Sequence, residues 1–123
     1  MKKFILTFAV TFPFVLFYSC KHDPLLPDQQ VSFATDIVPI INSSCMHSGC
    51  HNDTANPEGH IMNTYQDVVN HEFVVPGKPN SSKMYNSVTG SGEDFMPKGN
   101  YPPLNNRQIR LLYIWIAQGA KDN

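Results

Sequence analysis

Cys45-Met46-His47-Ser48-Gly49-Cys50-His51 is the stretch around which the chain is organised. Two cysteines stand five positions apart, and a histidine directly follows the second. This arrangement suits covalent haem attachment. Two thiols can form thioethers with the two haem vinyl groups, and the adjacent imidazole is delivered to one axial face of the iron. The usual signature is C-x-x-C-H, and here the loop between the cysteines holds four residues, Met46 to Gly49. Gly49 lets that longer loop turn tightly, because it has no Cβ to restrict φ. The essential feature is the Cys50-His51 adjacency.

Upstream, Lys2 and Lys3 form a positive patch ahead of an apolar run from Phe4 to Tyr18, interrupted by Thr7, Thr11 and Pro13. At about 15 residues the run falls short of the ~20 needed to span a bilayer as a helix. It reads as a secretory signal segment, residues 1–19. Its end, Phe17-Tyr18-Ser19-Cys20, resembles a bacterial lipobox, in which the cysteine is lipidated and becomes the new N-terminus. The lipobox pattern prefers Leu, Val or Ile where Phe17 stands. The alternative is an ordinary signal segment, or an uncleaved anchor, with Cys20 as a thiol. Lipidation also accounts for the odd count of three cysteines, one for lipid and two for haem. Residues 20–31 carry Pro24, Pro27 and many polar groups, and read as a tether that holds the folded part off a membrane. His22 within it reads as a solvated side chain.

What remains, residues 32–123, is one small domain. A chain of that size buries little apolar surface, so a cofactor at its centre is a natural source of stability. The net charge is −1 with both signs interspersed. No basic run points to nucleic acid and no strong field points to electrostatic steering. Nothing in the sequence suggests an oligomer, and a monomer is expected.

Within the domain, Phe33, Ile37, Ile40 and Ile41 share one helical face, predicting a first helix over Phe33 to Ser44. Thr35 or Asp36 as N-cap would place Pro39 in the first turn, where its missing N–H removes little. Thr64 caps a second short helix from Tyr65 to about His71, and Asn80 or Ser81 caps a third carrying Met84, Tyr85 and Val88. The loop His51 to His60 is rich in Asn, Asp, Gly and Pro, and Thr89 to Pro103 forms another irregular loop with Met96-Pro97 in its middle. Asn105 and Gln108 form a capping box for a last helix, about Asn106 to Gln118, with Gly119 as its stop. Trp115 on its apolar face is expected against the first helix and over the haem edge.

Beyond the cysteine motif, several stretches carry a resemblance. They are Phe33…Asp36-Ile37-Val38-Pro39-Ile40, Val75-Pro76-Gly77-Lys78-Pro79…Ser82-Lys83-Met84-Tyr85, Met96-Pro97 followed by Pro103-Leu104, and Gln108-Ile109…Trp115-Ile116…Gly119-Ala120. In this order the chain from Ser32 to Ala120 resembles small class I cytochromes c, most closely the planctomycete-type c domains of exported bacterial proteins. The four-residue cysteine loop departs from the usual pattern of that family. The resemblance implies an all-α fold with N- and C-terminal helices packed around one covalent haem c, with His51 and Met96 as axial ligands. In bacteria such haem is attached outside the cytoplasmic membrane, which agrees with the signal segment.

The ligand chemistry can be weighed on its own terms. Imidazole is a good iron ligand, and its other nitrogen usually donates to a backbone carbonyl. A methionine thioether is soft and uncharged, favouring Fe(II) and raising the potential relative to a second histidine. Met96 competes with Met46, Met62 and Met84 for the distal place, and His60 and His71 are the histidine rivals; either would give a bis-His haem of lower potential. With both axial sites filled, electron transfer to redox partner proteins is expected and enzymatic turnover is not. The alternative is a non-redox surface lipoprotein in which Cys45 and Cys50 form a disulfide or, with His47 and His51, hold zinc.

Overall fold

The computed structural model of the protein describes residues 28–52, 60–70 and 73–123, which form helices joined by turns, with no strand among them. The all-α expectation agrees with this at the level of fold class. The signal segment, the lipidation site Cys20, His22 and His71 lie outside the described residues.

The first helical segment begins at Phe33, as its apolar spacing suggests, but its cap lies one turn earlier than expected, at Ser32. The Ser32 hydroxyl accepts from the Thr35 N–H at 3.3 Å, and the Ser32 N–H donates to Asp36 Oδ2 at 2.9 Å. Ser32 is therefore the cap, and neither Thr35 nor Asp36 is. Phe33–Ile37 forms a wide π-helical turn, in which the Val38 N–H reaches the Phe33 carbonyl, before α1 (Val38–Ser44) begins. Pro39 explains the change of pitch. It has no N–H to give, and in a regular helix its ring would strike the carbonyl four residues back, so widening the turn ahead of it places Pro39 at the start of α1.

Thr64 and Asp67 form a reciprocal capping box on α2 (Tyr65–Val68), which is shorter than expected. The third segment opens as a 3₁₀ turn, Pro79–Ser81, and continues as α3 (Lys83–Thr89). Asn80 and Ser81 lie inside the turn and do not cap α3; Ser82 holds that position, yet its side chain makes no cap bond. The Ser82 hydroxyl is wholly buried, accepts from the Val75 N–H at 2.9 Å and donates to the Lys78 carbonyl at 3.0 Å. It satisfies a buried loop instead of the helix end.

The last helix, α4 (Asn106–Ala117), starts with the expected box: Gln108 N–H to Asn105 Oδ1 at 3.0 Å and Asn105 N–H to Gln108 Oε1 at 2.9 Å. It ends with Gln118 as its cap, and Gly119 follows at φ +99°. Its buried residues Leu112, Ile114, Trp115 and Ile116 join Phe33, Ile37, Ile40 and Ile41 in one core with Val68, Val74, Met84 and Val88.

Hydrogen bonds then sew the two ends of the domain together. Phe33 and Ala34 N–H groups donate to Asn123, at 2.9 Å to Oδ1 and 3.0 Å to its main-chain carbonyl. The Val31 N–H donates to Gln118 Oε1 at 3.0 Å, and Val31 is itself buried. Tyr65 reaches the Ala120 carbonyl at 2.7 Å. This frame leaves the loops after α1 and α3 to face each other on one side. Among the described residues, no helix is long and apolar enough to cross a membrane.

Candidate functional site

The cysteine loop is anchored where α1 stops. Cys45 N–H closes the last turn on the Ile41 carbonyl at 2.8 Å. The chain then folds back on itself, with Cys50 N–H to the His47 carbonyl at 2.9 Å and His51 N–H to the Cys45 carbonyl at 3.3 Å. Gly49 has φ +77°, a left-handed conformation that a side chain would strain, so the glycine turns the long loop as expected. The fold-back brings both cysteines and His51 to one place. Cys45 and Cys50 are half-buried thiols that are not joined to each other. Burial pushes the Cys45 thiol up from 9.0 to about 11, and the neighbouring Cys50 adds to the rise.

His51 is fixed by its ring. Nδ1 lies 2.5 Å from the His60 carbonyl. A carbonyl only accepts, so Nδ1 carries the proton and in the neutral ring Nε2 presents a lone pair. The Met62 N–H closes the same corner on the His51 carbonyl at 2.9 Å. The orienting bond expected of a metal-ligating imidazole is thus present in the chain itself.

Two adjoining cavities open beside this ring, of about 600 Å³ and about 360 Å³. Each lies within the size range of small-molecule and cofactor sites, roughly 300–1,000 Å³. Cys45, His51, Val88, Asp94 and Met96 line both. Cys50, Pro97 and Leu104 line the smaller one; His60, Met62, Phe73 and Met84 line the larger. Met96 is brought to the wall from the irregular loop after α3, where its N–H donates to the Ser87 carbonyl at 3.0 Å. Met96, far away in the chain, therefore shares one space with Cys45, Cys50 and His51.

His60 belongs to this space as well: its ring packs on Phe73 with centroids 3.7 Å apart, and the Lys83 ammonium lies 5.7 Å from the Phe73 centroid. Of the other methionines, Met84 is a buried core residue that also touches the larger cavity, Met62 lines it, and Met46 packs at the edge of the core. Trp115 does not lie over this space. Its indole packs on Phe33 at 5.4 Å, and its N–H donates to the Lys121 carbonyl at 2.9 Å. A buried indole needs an acceptor, and the turn after α4 supplies one away from the cavity. Among the described residues no three His, Cys, Asp or Glu side chains are grouped to hold a metal ion, and the His47 ring is instead stacked on Tyr101.

Sequence reading had not picked out Phe73, Ser87, Val88 or Leu104 as neighbours of the site. Ser87 and Val88 lie on α3, Leu104 in the loop before α4 and Phe73 in the loop after α2; none carries a local mark of a site, and only packing brings them there.

Comparison of the chain with protein-family models, with curated proteins and with solved structures finds no match in any of the three.

Proposed function

We propose that the chain is an exported, membrane-tethered monohaem c-type cytochrome that carries electrons, with a small class I cytochrome c-like fold. The observation that carries this reading is the bond from His51 Nδ1 to the His60 carbonyl, made on a cavity wall shared with Cys45 and Met96. That bond leaves Nε2 as the coordinating atom, and the histidine adjoins a cysteine placed for attachment. The residues fit a haem: two thiols at one side, an oriented imidazole, a thioether, and apolar walls from Val88 and Leu104.

In this reading Cys45 and Cys50 would hold the haem covalently, and His51 and Met96 would supply the ligands to its iron. The haem, when bound, supplies a one-electron Fe(III)/Fe(II) couple. His51 holds its proton at Nδ1 and keeps its ring from rotating. Met96, an uncharged soft donor, favours the reduced state and so raises the potential. Val88 and Leu104, both nearly fully buried, give the space between the ligand loops apolar walls. With His51 and Met96 both given to the iron, electron carriage would be favoured over substrate turnover. Cys20 in turn would carry the lipid that tethers the protein to a membrane. The zinc reading has no grouped set of donors among the described residues.

Redox titration of haem-loaded protein tests the function. One reversible one-electron transition, with no carbon monoxide binding to the reduced form, is expected. Rapid carbon monoxide binding would mean an open iron and would overturn the carrier assignment.

A further inference from the structure

His47 lies inside the cysteine loop, in the stretch that makes this loop longer than usual, and the function proposed above does not use it. Its ring lies flat on Tyr101, with centroids 3.9 Å apart and planes 5° from parallel. His47 belongs to the loop that carries Cys45, Cys50 and His51, and Tyr101 to the loop that carries Met96. The smaller cavity lies between these same two loops, lined by Cys50 and His51 from one and Met96 and Pro97 from the other. The Met96 N–H is bonded to the Ser87 carbonyl on α3, a bond that does not reach the cysteine loop. The stacked pair links the two loops.

We infer that His47 and Tyr101 are positioning residues, a clamp that closes the Met96 loop onto the cysteine loop and so holds the Met96 thioether on the iron. The inference rests on the haem reading with Met96 as distal ligand. It also gives a role to a side chain of the long cysteine loop that the haem reading leaves unused. Tyr101 is 41 % exposed, so its other face is in solvent and its removal leaves the core intact. A stacked aromatic pair contributes a modest free energy, so its loss is expected to weaken Met96 ligation by about two- to tenfold.

The test is an imidazole titration of the ferric, haem-loaded protein, in which added imidazole competes with Met96 for the iron. Met96→Ala sets the uncontested affinity. The inference predicts that Tyr101→Ala raises the apparent imidazole affinity by about two- to tenfold over wild type, that His47→Ala does the same, and that the double variant goes no further than either. Tyr101→Phe, which keeps the ring, retains the wild-type affinity. Additive effects of the two alanines, or no change with either while Met96→Ala raises the affinity, would overturn the clamp and leave the haem reading standing. Equal imidazole affinity in wild type and Met96→Ala would overturn both the clamp and the distal assignment.

Discussion

Met96 is one of three methionines on the wall of the larger cavity, with Met62 and Met84, and it alone of the three also borders the smaller one beside Cys50. In the proposed reading, its replacement would separate the distal ligand from the attachment chemistry. Met96→Ala is expected to keep the haem bound and to lower the midpoint potential on the order of 100 mV, a modest part of the roughly 0.8 V over which axial ligands set haem potentials. Spectroelectrochemical titration measures it, and an unchanged potential would shift the assignment to His60 or His71. Cys45 makes a second residue-scale prediction, for the haem-free protein. Its folded-state pKa of about 11 lies above the ordinary 9.0, because burial disfavours the thiolate. The folded chain keeps a proton that the unfolded chain releases, so this contribution to stability is intact below pH 9 and is lost as pH rises towards about 11. Urea unfolding across that window should show a fall in stability that Cys45→Ser reduces. That Cys45, Cys50 and His51 lie together was legible in the sequence, because adjacency alone encodes it. Met96 needed the resemblance as well, since a methionine in a loop carries no local mark of ligation.

At the scale of elements, the helix ends were read best where a side chain and a backbone group satisfy each other locally. The Asn105–Gln108 and Thr64–Asp67 boxes are of this kind. Asn105→Ala is therefore expected to cost about 1 kcal/mol, seen as a lower urea midpoint with an unchanged slope. Ser32 and Ser82 were not read correctly, for two different reasons. Apolar spacing rightly starts the first helix at Phe33, but placing Pro39 in a regular first turn puts the cap at Thr35 or Asp36, and the widened turn ahead of Pro39 leaves it one turn back at Ser32. Ser82 looked like a helix residue, while its hydroxyl answers a buried carbonyl and N–H in the preceding loop. Ser82→Ala should cost about 1–3 kcal/mol, because it strands the Val75 N–H in the interior, and Ser82→Thr should fail to restore it fully for want of space. Thermal unfolding of the pair checks this; a neutral Ser82→Ala would mean that the loop relaxes to water.

For the whole molecule, the frame and the site are built from different parts. The segment from Phe33 to Ile37, α4 and the residues after it form a closed frame, held by Trp115 and by hydrogen bonds to Asn123 and Ala120. The candidate site lies off this frame, between two loops with few regular elements. That division explains what sequence could convey. Amphipathic spacing located the frame, but it also suggested that Trp115 would cover the cofactor, and only the indole's need for an acceptor, met at Lys121, shows why it does not. Loop residues such as Phe73 and Tyr101 obey no spacing rule, so their place at the site is set by three-dimensional packing alone. The central claim is that Cys45 and Cys50 hold a haem, and the most direct measurement is haem staining on a denaturing gel with a pyridine haemochrome spectrum. Protein made in a host with haem-attachment machinery should keep its stain through denaturation and give a c-type spectrum, and Cys45→Ser with Cys50→Ser should abolish both. A colourless wild-type protein from that host would contradict the account and favour the disulfide or zinc module.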